Sequence, residues 1–237
     1  MQVSDFKRMA TAIAIALALF AGLVRPVVAD EEDERQRVKE AAQVLREITR
    51  AEDKGIPAGL FQRARAIAVF PNVVRGAFIV GARWGKGVVV ARDAKGEWGP
   101  AGFLDLGGGS VGLQIGGDAT DVILFFIEEN GLNKLLEDKL ELGGNASASA
   151  GPVVGRSAEA GTNLTLDAAI YAYSRSKGAF AGVTLDGTVI TMDNSANENA
   201  YGKEIKRQEV LSGKVPVPAI FVPYVTTVKE LTPATAR

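Results

Sequence analysis

The residues able to do chemistry in this chain are few, and their types exclude more than they permit. There is no histidine and no cysteine among the 237 residues. That removes histidine-based triads, thiol nucleophiles, disulfides, the commonest transition-metal ligand and thiolate-held zinc or iron-sulfur. Carboxylates remain at Asp105, Asp118, Asp121, Asp167 and Asp193. Each is isolated in a turn-like context, where aspartate ordinarily caps or closes a turn; no catalytic residue is assigned and the chain reads as a non-enzyme. The run from Asp193 to Asn199 offers only oxygen ligands, which suits calcium, but it lacks the glycine and ligand spacing of an EF-hand loop. It reads as a polar loop leading into a helix, and no metal or other cofactor is expected. Gly107, Gly109 and Gly112 satisfy G-x-G-x-x-G, yet a dinucleotide site needs that loop to open a helix. Here the glycines run instead into Val111-Gly112-Leu113-Gln114-Ile115, an alternating strand. They are expected to let a sheet bend or another backbone approach.

Positive charge is the more promising chemistry. Ser174-Arg175-Ser176-Lys177 lies between two apolar runs, and arginine and lysine spaced by hydroxyls can clamp a phosphate, Arg as a bidentate fork and Lys as a point charge. Arg156, next to Gly155 and Ser157, joins them if the fold brings the segments together. The competing reading has Arg175 and Lys177 merely alternate outward and solvate the end of a strand. A second cationic group sits on the first long helix. At about 100° per residue, Arg35, Lys39, Arg46 and Arg50 fall within about 60° of one another, beside an apolar stripe of Val38, Ala41, Leu45 and Ile48. Such a strip is how a membrane-surface helix meets anionic head groups. The stronger reading is a helix docked on its own sheet, which shows the same apolar stripe, and the apolar side carries no Trp or Phe.

The elements that must position these groups are mostly strands. Short Val-, Ile- and Phe-rich runs fall between glycine-bearing turns, near 66–70, 77–83, 87–92, 102–106, 110–115, 121–127, 140–150, 168–174, 179–185 and 188–192. Asp186-Gly187 suits a type I′ hairpin between Val183-Thr184-Leu185 and Thr188-Val189-Ile190, and Asp93-Ala94-Lys95-Gly96 closes another turn. Helices are expected over Glu31 to Asp53, stopped by Gly55 and Pro57, then from Pro57 to Arg65, over Glu128 to Asp138 and over Glu204 to Leu211. Pro216 to Pro223 holds three prolines and reads as an extended segment laid on the core. The class is α+β: a strongly curved or barrel-like, mainly antiparallel sheet with several flanking helices.

The first 29 residues read as an address. Lys7 and Arg8 precede an apolar run from Ala10 to Val24, and Val27-Val28-Ala29 ends in a small residue, so cleavage is expected before Asp30. The run is short of the roughly 20 residues needed to span a bilayer. Residues 30–237 then form a single domain whose net charge moves from -1 to about -3, since Asp5, Lys7, Arg8 and Arg25 leave with the signal. That balance excludes nucleic acid as a partner, which calls for a basic excess gathered on one face.

The ordered segments Arg83 to Arg92, Gly96 to Ala101, Gly109 to Gly116, Gly151 to Arg156, Tyr173 to Gly182 and Asn199-Ala200-Tyr201-Gly202 together resemble the SYLF domain, over roughly Lys39 to Val210. The resemblance implies a lipid-binding and not a catalytic domain. Eukaryotic members are linked with phosphoinositide membranes and actin at endocytic sites and often carry SH3 or FYVE modules, neither of which occurs in this sequence. For an exported bacterial protein, which meets no actin, what transfers is binding of anionic phospholipid head groups at a membrane surface. The expected location is the periplasm or cell surface, peripheral to the membrane, with Arg175, Lys177, Arg156, Arg35, Lys39, Arg46 and Arg50 as the lipid-binding candidates. The alternatives are a structural or protein-interaction component of the envelope, with envelope proteins as partners, or a carrier of an apolar small molecule inside the curved sheet.

Overall fold

The computed structural model describes residues 27–50, 56–77, 81–110, 119–127, 133–135, 139–143, 148–151, 168–176, 179–183, 185–211 and 213–232. The chain separates into two units, Met1–Glu34 and Arg35–Arg237. In the first, the described residues 27–34 open helix α1 (Val27–Arg50); residues 1–26, the body of the expected signal, lie outside the described residues. No helix among the described residues is long and apolar enough to cross a membrane.

The second unit is built on one sheet. Its strands are β1 (Ala66–Ala77), β2 (Gly81–Arg92), β3 (Trp98–Ser110), β4 (Ala119–Phe126), β5 (Leu140–Leu142), β6 (Ala148–Ala150), β7 (Ile170–Ser176), β8 (Ala179–Gly182) and β9 (Thr188–Met192). They run in the order β5-β9-β3-β2-β1-β4-β7-β6, with β8 paired to β7 off that path, and the sheet is nearly closed into a barrel. All pairings are antiparallel except β6 with β7. The curved, mainly antiparallel sheet expected from the sequence is therefore present. Its helices are α1, α2 (Ala58–Arg63), α3 (Asn194–Tyr201), α4 (Arg207–Leu211) and α5 (Val222–Leu231), with a helical turn at 133–135.

Alternation along the strands buries both faces. Ile67, Val69, Val88, Val90, Phe103, Ile123, Phe125 and Tyr173 point one way, onto Val38, Ala41 and Leu45 of α1, Leu60 and Phe61 of α2, and Tyr224, Val225 and Val228 of α5. Ala66, Phe70, Val89, Leu104, Leu124, Phe126 and Ala172 point the other way, into a second core with Leu135, Leu140, Ile190, Val210 and Leu211. Among the described residues both faces are filled by side chains, which leaves the alternative of an apolar cargo inside the sheet unsupported.

Four differences from the sequence reading have local causes. Strand β1 continues through Pro71, where the expected strand stopped at Phe70, because the register shifts between Phe70 and Val73; a bulge absorbs a proline that cannot donate to a regular ladder. Asn72 sits in that bulge at φ +52, a conformation asparagine tolerates better than most residues. Asp186-Gly187 does form a turn, with the Thr188 amide donating to Leu185 O at 3.0 Å. Only Gly187 has positive φ, however, and type I′ needs it at both central residues. Accordingly β8 and β9 do not form a hairpin: β8 pairs with β7, and β9 with β3 and β5. The expected strand over 140–150 is two short strands on different neighbours, β9 and β7. Finally, the expected extended segment from Pro216 to Pro223 is non-helical only at its start: Ala219–Phe221 form a 3-10 turn and α5 begins at Val222, with Pro223 in its first turn, where a missing N–H leaves no partner unsatisfied.

Gly107 and Gly109 stand within β3, and a methyl added to either meets nothing within 4 Å. The close backbone approach belongs to Gly108 between them, whose added Cβ would lie 2.5 Å from Gly187 O and 2.9 Å from Thr188 Cα. Gly112 falls outside the described residues. Gly108→Ala is expected to lower stability by about 1–3 kcal/mol, while Gly107→Ala and Gly109→Ala stay within about 0.5 kcal/mol of the parent; urea unfolding of the three variants checks the contrast.

Candidate functional site

Helix α1 is held to the sheet by its polar residues as well as its apolar stripe. Arg37, buried on the inward face, donates from Nη1 to Asp193 Oδ2 at 2.9 Å and lies with its guanidinium carbon 4.8 Å from the centre of the Phe103 ring. Lys86 of β2 donates to the same oxygen at 2.8 Å and stands 3.7 Å from Asp105 of β3. The other oxygen of Asp193 caps α3, accepting from the Ala196 amide at 3.2 Å. Asn197, one turn into α3, exchanges hydrogen bonds with the backbone of Phe103 and clips that helix to β3. The Asp193–Asn199 run is therefore the cap and body of α3 itself, not a loop before it, and Asp193 is a structural carboxylate. Among the described residues no group of three or more acidic ligands could hold a metal.

Burial alone would push the Asp193 carboxyl up, but the hydrogen bonds from Lys86, Arg37 and the Ala196 amide outweigh it and hold it below the usual aspartate value. Asp105 is shifted the opposite way, by burial first and then by the charge of Asp193.

A second carboxylate fastens the other end of α1. Asp121 of β4 lies directly across from Arg175 of β7. Arg175 places both Nε and Nη2 at 2.6 Å from Asp121 Oδ2, and its Nη1 pairs with Glu47 of α1. Asp121 also accepts from the Asn72 amide at 3.0 Å, and the Asn72 side chain donates to Glu40 of α1 at 3.3 Å. From sequence, Arg175 is a phosphate clamp or an outward strand residue. In the structure it is neither: the guanidinium is largely covered and engaged by two carboxylates. Lys177 and Arg156 lie outside the described residues, as does the convergence expected of them with Arg175.

The helix cations fare differently. Arg35, Lys39 and Arg46 are exposed, while Val38, Ala41, Ala42, Val44 and Leu45 are buried. The side chains of Ile48 and Arg50 lie outside the described set. Glu40 and Glu47 form the flank turned to the sheet, reaching Asn72 and Arg175, so the strip of Arg35, Lys39 and Arg46 is left on the outward face. The apolar stripe is taken up by the core. Sequence reasoning missed Arg37, which breaks the charge pattern by lying inside, and Trp84, which is 53% exposed on β2 two residues from Lys86. A tryptophan beside glycine and two cations was a signal available in the sequence.

A family model described as Ysc84, Las17-binding protein actin regulator, matches residues 107–231. That is more than half of the chain. The chain belongs to this family. Protein YSC84 of Saccharomyces cerevisiae is 35% identical over 192 residues, covering 78% of this chain and 41% of that protein. The human SH3 domain-containing YSC84-like protein 1 is 32% identical over 191 residues, covering 78% of this chain and 55% of that protein. LAS seventeen-binding protein 3 of the same yeast is 33% identical over 195 residues, covering 78% and 42%. The chain thus spans about half the length of the curated relatives it matches. No solved structure matches it. In this Ysc84-family chain, the matched region takes in the Asp193 cap, the Asp121–Arg175 pair and the C-terminal helix, the parts that seat α1.

Replacing Asp193 by Asn should cost about 3 kcal/mol, the scale for leaving a buried cation short of its partner. Because its folded pKa is depressed, the stabilisation by Asp193 is complete above the unfolded value of about 3.9 and is lost as pH falls through the folded value. Melting temperature measured from pH 2 to 7 should therefore fall less steeply below about pH 4 in Asp193→Asn than in the parent.

Proposed function

We propose that this chain is a non-catalytic binding protein of the cell envelope, exported by its N-terminal signal, that associates peripherally with anionic phospholipid head groups. The observation that carries this reading is the orientation of α1: its apolar stripe is taken up by the core and its acidic flank by Asn72 and Arg175, while Arg35, Lys39 and Arg46 face outward. A helix so mounted meets a membrane by charge and does not insert its apolar side. Exposed Trp84, an amphipathic ring of the kind that rests at the lipid-water boundary, adds an uncharged contact. The lack of histidine and cysteine, with Asp121 and Asp193 engaged in a cap and ion pairs, supports a binding role over a catalytic one.

Each basic residue near an anionic surface contributes on the order of 1 kcal/mol, screened as salt rises. Vesicle co-sedimentation of the protein, purified as cells process it, should give recovery on phosphatidylglycerol-containing vesicles that declines between about 0.05 and 0.5 M salt. Reversal of charge at Lys39 and Arg46 together should reduce that recovery at least about tenfold. Equal recovery on neutral and anionic vesicles at low salt would reject the reading.

The description of the family and the name of one yeast member favour a second reading, a protein-interaction module, since they describe binding to Las17. For an envelope protein the partner would be another envelope component. Cross-linking in cells that recovers a defined protein neighbour, with no lipid preference in the vesicle assay, would select it.

A further inference from the structure

A second concentration of positive charge lies away from the outward strip of α1, where the end of α2, the start of β1, the end of β2 and the residue after β4 meet. A pocket of about 400 Å³ opens there, lined by Gln62, Arg63, Ala64, Arg65, Arg92 and Ile127. Three of those six residues are arginines. Arg92 is held rigidly: Nε donates to Ala64 O at 3.0 Å, Nη1 donates to Gly96 O at 2.6 Å, and the guanidinium carbon lies 4.2 Å from the Trp98 ring centre. The Trp98 ring is itself anchored through its N–H to Thr232 Oγ1 at 2.6 Å. Arg65 is set by its backbone, its amide donating to Phe126 O and its carbonyl accepting from the Arg92 amide, each at 2.7 Å. The two cations are thus brought together by strand geometry and not by attraction. Burial first, and the charge of Arg65 as well, push the Arg92 guanidinium down from its ordinary value, with Glu97 opposing.

A fold that sets Arg37 and Arg175 against carboxylates here brings Arg65 and Arg92 to one pocket, and among the described residues that line it none is acidic. We infer that this pocket is a binding site for a phosphate group, carried either by a soluble phosphomonoester or by a phosphomonoester lipid head group. The Nη2 edge of Arg92 is uncommitted to the two carbonyls and is pre-oriented, so little rotamer freedom is lost on binding. Arg65 supplies a second fork of the planar geometry that suits phosphate oxygens. Gln62 adds an amide donor, and Ile127 an apolar wall against which a glycerol or sugar carbon can rest. The site is distinct from the strip on α1, so it stands or falls separately from the membrane reading.

The test titrates the protein, purified as cells process it, with inorganic phosphate and with glycerol 3-phosphate by calorimetry, and separately measures recovery on phosphatidylcholine vesicles with and without phosphatidic acid. Arg65→Gln, at an exposed position, should weaken phosphate binding about tenfold, the scale of one lost charge-assisted contact, and Arg65→Glu should abolish it. The melting temperature of both should match the parent, and Lys229→Gln on α5 should bind like the parent. Soluble phosphate binding that Arg65→Gln weakens, without any effect on vesicles, assigns the site to a soluble phosphomonoester. Weakened recovery on phosphatidic acid vesicles assigns it to a lipid. Absence of phosphate binding in both formats, or affinities that Arg65→Gln leaves unchanged, overturns the site even if salt-sensitive vesicle binding through α1 persists.

Discussion

Two carboxylates, Asp193 and Asp121, decide how helix α1 sits, and through it which charges reach the surface. Asp193 accepts from a helix residue, Arg37, and a strand residue, Lys86, while capping α3. Asp121 gathers Arg175 and the Asn72 amide, and through them Glu47 and Glu40 of α1. A helix docked only by an apolar stripe can rotate by a fraction of a turn at modest cost. One pinned at Arg37 and again at Glu40 and Glu47 cannot rotate without stranding a buried charge, which costs several kcal/mol. The rotation that satisfies both pins is the one that turns Arg35, Lys39 and Arg46 outward.

The pins also explain why the sheet tolerates irregularities at its centre. Strand β1 lies between β2 and β4 and yet carries Pro71 and a left-handed Asn72. A proline there breaks the ladder, and the freed Asn72 amide finds Asp121 as its acceptor. The bulge is thereby satisfied, and its side chain reaches the helix. At the margins of the sheet the strands are short, three residues in β5 and β6 and four in β8, which limits the exposed ladder available for unwanted pairing.

What the sequence made legible was whatever depends on local pattern. The period-2 runs located β4, β7 and β9 closely, Asp93 to Gly96 was recognisable as a turn because Asp and Gly have local reasons to be there, and the 3.6 period of Val38, Ala41 and Leu45 told which side of α1 is inside. What stayed hidden was pairing. Nothing in Asp186-Gly187 says that the strands before and after it join different neighbours, and nothing near Arg175 says that Asp121, 54 positions away, will claim it. Proline misled at Pro223, because its cost depends on whether the missing N–H had a partner to lose. Arg37 was invisible as a core residue for a related reason: a buried arginine is tolerated only beside a carboxylate, and here the fold supplies that carboxylate from far along the chain.

That distinction, between cations the fold buries and cations it leaves exposed, organises the functional reading better than their number does. Arg37 and Arg175 neutralise carboxylates, Arg83 reaches Thr188 Oγ1 at 3.2 Å, and Arg207 reaches Leu135 O at 2.9 Å. Each of these is buried or half-buried and serves to join elements distant in sequence. By contrast, the cations of the outward α1 strip are exposed, and Arg65 is exposed at the rim of a pocket with no acid among its described lining residues. Net charge near neutrality gives no hint of this partition, since acids and bases cancel in the sum wherever they lie. On the proposed readings an anionic partner would meet exposed cations of two kinds: a strip on α1 suited to a surface of charge, and a pocket suited to a single phosphate.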